Sequence, residues 1–135
     1  RVQLLRDLGM AVSPFNAFML LQGLETLSLR MERHWSNAQA VGEFLAKHPQ
    51  VESVNYAGLT SSPWHERAKK YFGGRGFGSV LAFNIKGGRE AGEKFVAGLS
   101  LHSHVANIGD VRISVGLESI KDIIADLDAG FAAAK

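Results

Sequence analysis

Between Pro14 and Lys47 the apolar residues Leu20, Leu24, Leu27, Met31, Trp35, Ala38 and Leu45 recur at three- and four-residue steps. That spacing places them on one stripe of an amphipathic helix. Ser13-Pro14 is a suitable start for it, a capping hydroxyl followed by proline where its missing N–H costs nothing. His48-Pro49 is a suitable end, because a residue before proline is pushed out of helical geometry. One long helix over Pro14–Lys47 is therefore expected, preceded by a short helix or connector over Arg1–Val12. Such a helix is too long for a small sheet to cover, so a second body is expected on its first half.

Beyond Pro49 the period shortens. Val51–Tyr56 and Ser79–Ile85 alternate as half-buried strands, and so does Val111–Glu118 around Ile113 and Val115. His102–Ala106 reads as a further strand-like piece. Three helices are expected between and after these strands. The first starts at Ser62-Pro63, the second covers Arg89–Leu99, and the third covers Ile120–Ala134 behind a capping box of Ser119 and Asp122. Gly73–Gly78 is a glycine-rich turn. The order αβαβαββα predicts an α/β (α+β) domain with a small open sheet and helices mainly on one face. The expected division is a connector and long helix over 1–48 and an α/β domain over 49–135.

Composition narrows the class. A chain of 135 residues can bury a real core as one domain. Its net charge of +2, with acids and bases interspersed, gives no reason to expect nucleic acid or an anionic membrane as partner. The absence of cysteine excludes disulfides, thiolate metal sites and a cysteine nucleophile, and agrees with a cytoplasmic location. No apolar run is long enough to span a bilayer. The chain opens at Arg1 with no initiator methionine, so it is expected to be part of a longer protein.

Four local patterns could carry chemistry. Arg112 opens its strand, where a guanidinium fork could grip a carboxylate or phosphate; it could equally pair with a surface acid. Arg75-Gly76-Phe77-Gly78-Ser79-Val80 is similar to an RNA-recognition signature, but Ser79 and Ala82 stand where that signature needs aromatics. The same glycines precede a strand rather than opening a helix, which argues against a phosphate loop and for a tight turn. His102 and His104 share a strand face, yet a metal would need a third ligand, from His65 or an acid elsewhere. Ser61, Ser62 and His65 are neighbours at a helix start, with nothing like a nucleophile elbow around them.

Longer blocks resemble one family. Gly9–Phe18 with Leu20–Arg30, Asn55–Leu59 with Ser61–His65, Leu101–Asp110 and Arg112–Glu118 together resemble the pyridoxal-phosphate enzymes of cysteine and methionine metabolism, in the family's order and over almost the whole chain. Gln22 and Glu25 favour the O-acetylhomoserine sulfhydrylase branch over the cystathionine enzymes; a cystathionine γ-synthase or lyase, or a methionine γ-lyase, is the alternative within the resemblance. The resemblance implies the C-terminal domain of a fold-type-I enzyme, with the long helix joining it to a larger domain.

It also implies that Arg112 holds the α-carboxylate of an amino-acid substrate, and that pyridoxal 5'-phosphate is the cofactor. The implied reaction is a γ-replacement. Protons leave Cα and then Cβ of O-acetylhomoserine, acetate departs from Cγ, and sulfide adds to give homocysteine. A homotetramer is the family's assembly. The lysine that carries the cofactor lies upstream in the family and no lysine here matches it, so this segment alone is expected to be inactive. In relatives a longer loop separates Asn107–Asp110 from the arginine strand. Here the two are fused, and a loop is expected to be missing between 110 and 112.

Overall fold

The computed structural model describes residues 2–9, 11–102 and 112–135. It forms two compact units, Arg1–Met31 and Glu32–Lys135. The first contains α1 (Val2–Leu8), α2 (Pro14–Glu25) and the start of α3 (Leu27–Lys47). The cap at Ser13 is as expected: its hydroxyl oxygen accepts from the Asn16 N–H at 3.2 Å. The single helix expected over Pro14–Lys47 is instead two, broken at Thr26. Gly23 and Thr26 are weak helix formers, and Arg30 supplies the break with partners. Its guanidinium donates to the Gly23 carbonyl at 2.7 Å and to the Thr26 hydroxyl at 3.2 Å. No residue of α2 is buried, and Phe15, Phe18, Leu20, Leu21 and Leu24 are all exposed. The apolar stripe that the spacing predicts is thus buried only in its second half.

That half belongs to the second unit. Ala38, Val41 and Leu45 of α3 are fully buried among Tyr56, Leu81, Phe83, Phe95, Val115, Ile123, Leu127 and Phe131. The sheet has the order β1-β2-β3, with β1 (Val51–Asn55), β2 (Val80–Ile85) and β3 (Arg112–Ser114), all antiparallel. Along β2 the alternation is plain: Leu81 and Phe83 enter the core while Val80 and Asn84 stay exposed. On the uncovered side the Asn84 amide donates to the Ser53 hydroxyl at 3.1 Å. Against the covered side lie α5 (Gly88–Ala97) and α6 (Ile120–Ala133). Phe95 and Phe131 meet there at 4.8 Å, and Phe83 meets the edge of Phe95 at 5.7 Å. The mixed α/β class and small sheet agree with the sequence.

Three boundaries differ. The helix expected from Ser62-Pro63 is α4 (His65–Phe72), because the chain spends Tyr56–His65 in successive three-residue turns: Leu59 N–H to Tyr56, Ser62 to Leu59 and His65 to Ser62. The capping box at Ser119 does not form. Backbone bonds from Asp122 and Ile123 to the Ser119 carbonyl close that turn instead. The strand expected to run to Glu118 stops at Ser114. One further ladder bond, Val115 N–H to the Ser79 carbonyl at 2.8 Å, follows before the chain leaves the sheet. The strand-like piece His102–Ala106 lies outside the described residues from Ser103 onward. The glycine turn is a turn: Gly73 caps α4 in the left-handed region at φ 63°, which glycine adopts without strain.

Two titratable side chains pack against the apolar core. Asp126 of α6 is 5% exposed and accepts at one oxygen from the Ser100 and Leu101 N–H groups and the Ser100 hydroxyl. Its other oxygen accepts from the His102 N–H and ring, the latter at 2.7 Å. Burial alone would raise its pKa, but the bonds from the His102 ring and from the Leu101, Ser100 and His102 N–H groups outweigh burial. They hold the carboxyl far below the ordinary carboxylate range. His48 stacks on Phe131 at 3.8 Å and accepts from the Gln50 N–H, so its Nδ1 carries no proton. Burial lowers its pKa, with Asp128 opposing and Lys135 reinforcing.

Both shifts give the same sign. Near the ordinary histidine value of about 6.5 the unfolded chain binds a proton that native His48 resists, so stability falls as pH drops through that value. Asp126 contributes at every pH above the ordinary aspartate value of about 3.9, and that contribution is lost as pH falls below it toward the native value. Denaturant titrations from pH 8 to pH 3 should therefore show two successive losses. His48→Phe should flatten the first. Asp126→Asn should flatten the second and cost about 2 kcal/mol at pH 7; an Asp126→Asn profile parallel to wild type would contradict this account.

Candidate functional site

Arg112 enters the sheet opposite Ala82, whose partner on its other side is Asn55. The backbone of the arginine thus stands in a row of three residues crossing the sheet, with Ile113 opposite Leu81 in the next row and Ser114 opposite Val80 in the one after. The side chain of Arg112 lies outside the described residues, as do Ser103–Val111, including His104.

The chain following β3 is fastened to α3. The carboxamide nitrogen of Asn37 donates to the carbonyls of Gly116 and Glu118, each at 3.0 Å, and the residue is 2% exposed. One turn earlier the Nδ1 of His34 meets the Val115 carbonyl at 2.6 Å. A carbonyl can only accept, so Nδ1 carries the proton there. These bonds explain why β3 is short: carbonyls that could have continued the ladder are taken by α3. At the other end, Asp126 fastens Ser100–His102. Asn37 and Asp126 were not among the residues the sequence points to. Their one signal is placement: Asn37 lies four residues before Val41, and Asp126 three after Ile123, so each is a polar residue on an apolar stripe.

The other candidate groups are committed to structure. The Nδ1 of His65 donates to the Ala57 carbonyl at 2.9 Å, and its ring stacks on Phe77 at 5.0 Å. Phe77, the aromatic of the RNA-like run, therefore faces a histidine rather than a free base-binding surface. Gly76 lies so close to the Trp35 ring that any added Cβ would collide with it. The Nδ1 of His102 is bound to Asp126, and no cluster of three potential metal ligands occurs among the described residues. Ser62 accepts from the Trp64 N–H at 3.4 Å and lies in no nucleophile–base pair.

These observations bear on how pyridoxal phosphate could be held. Every lysine of the chain is exposed, so none is enclosed as a covalent anchor would be. A cleft of about 830 Å³ runs over α5 and β2, lined by Glu52, Asn84, Glu93, Val96 and Arg89 among others. Its carboxylates suit a phosphate poorly, and its arginine is paired with Glu93 at 2.8 Å. The described residues do not form a cradle for the cofactor.

The family model for Cys/Met metabolism PLP-dependent enzymes matches residues 1–112. The chain belongs to that family. It is 48% identical to an O-acetyl-L-homoserine sulfhydrylase of Leptospira meyeri, over 95% of this chain and 36% of that protein. It is 47% identical to the sulfhydrylase of the same name from Corynebacterium glutamicum, over 98% of this chain and 37% of that one. An L-methionine gamma-lyase of Porphyromonas gingivalis is 41% identical over 90% of this chain and 38% of its own length. The chain thus spans little more than a third of these relatives. The alignment to the Leptospira protein runs over 158 residues, longer than this chain of 135, so that relative carries residues with no counterpart here.

Among solved structures, an O-acetylhomoserine (thiol)-lyase of Campylobacter jejuni bearing N'-pyridoxyl-lysine-5'-monophosphate superposes with a TM-score of 0.79. It is 37% identical, over 97% of this chain and 36% of that one. A cystathionine gamma synthase of Xanthomonas oryzae in complex with cystathionine gives 0.76 at 31% identity, over 95% and 40%. The fold is that of the corresponding part of fold-type-I enzymes. No helix among the described residues is long and apolar enough to cross a membrane.

With Phe77 and His65 stacked on each other, single-stranded RNA has no free aromatic on this run. Titration with a labelled single-stranded oligonucleotide should give no saturable, salt-dependent binding; a steep salt slope would restore the RNA reading.

Proposed function

We propose that this chain is the substrate-carboxylate arm of a PLP-dependent transferase that makes homocysteine from O-acetylhomoserine and sulfide. The observation that carries the reading is the 47–48% identity to two sulfhydrylases over nearly the whole chain. Within that enzyme residues 1–48 serve as connector and interdomain helix, the second half of α3 being packed into the core of the C-terminal domain that 49–135 form, with a loop missing between 110 and 112. The exposed apolar residues of α2 support the reading, since a helix with so much apolar surface needs a covering body. That body is the larger domain, which also supplies the cofactor lysine. The working enzyme is a cytoplasmic homo-oligomer.

Arg112 has one task in this scheme. Its guanidinium takes the α-carboxylate in a two-bond fork and fixes the amino acid with its Cα–H toward the cofactor. Pyridoxal phosphate, held by the larger domain, would supply the electron sink that the loss and later return of the Cα and Cβ protons require. Orientation by Arg112 lets acetate leave from Cγ at a fixed position for sulfide to enter.

In the complete enzyme, Arg112→Ala should raise the KM for O-acetylhomoserine at least about thirtyfold, the effect of losing roughly 2 kcal/mol or more of charged hydrogen bonding. Arg112→Lys should recover part of it as a point charge without the fork. An unchanged KM in Arg112→Ala would remove the assigned role. Assays with sulfide, cysteine and methionine separate the transferase from the cystathionine enzymes and the γ-lyase; γ-elimination of methionine as the fastest reaction would move the chain to the lyase branch.

A further inference from the structure

We propose that His34 and Asn37, on α3, are positioning residues for Arg112. The proposal rests on the reading of Arg112 as the carboxylate-binding group. β3 is only three residues long, with Arg112 at its start, and the chain leaves the sheet after Val115. So short a strand has few ladder bonds of its own to fix its register along β2. What holds its far end is α3: Asn37 takes the carbonyls of Gly116 and Glu118 and His34 takes that of Val115, three bonds of 2.6–3.0 Å within four residues of chain.

Both donors rise from a helix whose neighbouring residues Ala38 and Val41 are fully buried, so the fastening point is rigid. Neither group is needed to satisfy a partner on its own helix. Their hydrogen bonds are spent on the chain that carries the arginine. A displacement of that chain along β2 would move the guanidinium relative to the substrate, and binding by a two-bond fork tolerates little displacement. α3 therefore sets where the carboxylate is held. His34 and Asn37 need not touch the substrate to do so.

The test uses the complete enzyme and compares KM with kcat. His34→Leu and Asn37→Ala should each raise the KM for the amino-acid substrate about five- to tenfold, the effect of losing one or two hydrogen bonds, with kcat at saturation within about twofold. His34→Asn, whose amide can donate from near the position of Nδ1, should return KM most of the way to wild type. Asn37→Ser, which keeps a donor, serves where Asn37→Ala does not fold. A residue that merely stabilises the domain would lower melting temperature and the active fraction while leaving KM unchanged, and His34→Asn would then rescue the melting temperature alone.

Arg112→Ala is the control. If it raises KM and the α3 variants do not, the positioning role is overturned and the reading of Arg112 stands. If Arg112→Ala itself leaves KM unchanged, the reading fails and the positioning role fails with it.

Discussion

A side-chain amide buried on α3 spends both its protons on main-chain carbonyls beyond β3. Asn37 has almost no contact with solvent, so those two bonds at 3.0 Å are what make its burial tolerable. They tie the sheet to the helix at one point. With His34 beside it, the amide decides where β3 ends, and hence how far Arg112 stands from the last fixed residue of its strand. The packed aromatic layer of Phe83, Phe95 and Phe131 would hold the helices to the sheet without it. That layer is non-directional, whereas the amide fixes a register.

Much of this was legible in the residues. The period-two runs from Val51 and from Ser79 give β1 and β2 almost where they lie, and the last helix falls within a residue of the expected Ile120–Ala134. The glycine turn is read correctly because Gly73 needs a positive φ. What was not legible is where local signals compete with backbone geometry. Ser13 caps its helix, yet Ser119, with an equally good pattern, leaves its cap to the backbone. Ser62-Pro63 looks like a helix start, but tight turns occupy the chain until His65. Thr26 breaks a stripe whose spacing runs straight through it, because periodicity records faces and is blind to a kink whose loose carbonyl is taken by Arg30.

The site divides along the same line. Arg112 is visible as an arginine opening a strand, and family resemblance gives it a substrate. Asn37, His34 and Asp126 are invisible to such a reading, since a polar residue on an apolar stripe looks like an imperfection until its partners are known. Each instead reaches from a helix to irregular backbone. Residues that hold a stretch of chain in place leave a weaker trace than a charged binding group, because their partners are main-chain groups that no sequence pattern marks.

The fastenings at Ser100–His102 and at Val115–Glu118 stand on either side of the arginine's approach, one on α6 and the other on α3. Each fastening ties irregular backbone to a helix whose other face is packed in the core. A segment of backbone held in this way can shift only as far as the packed helix behind it shifts.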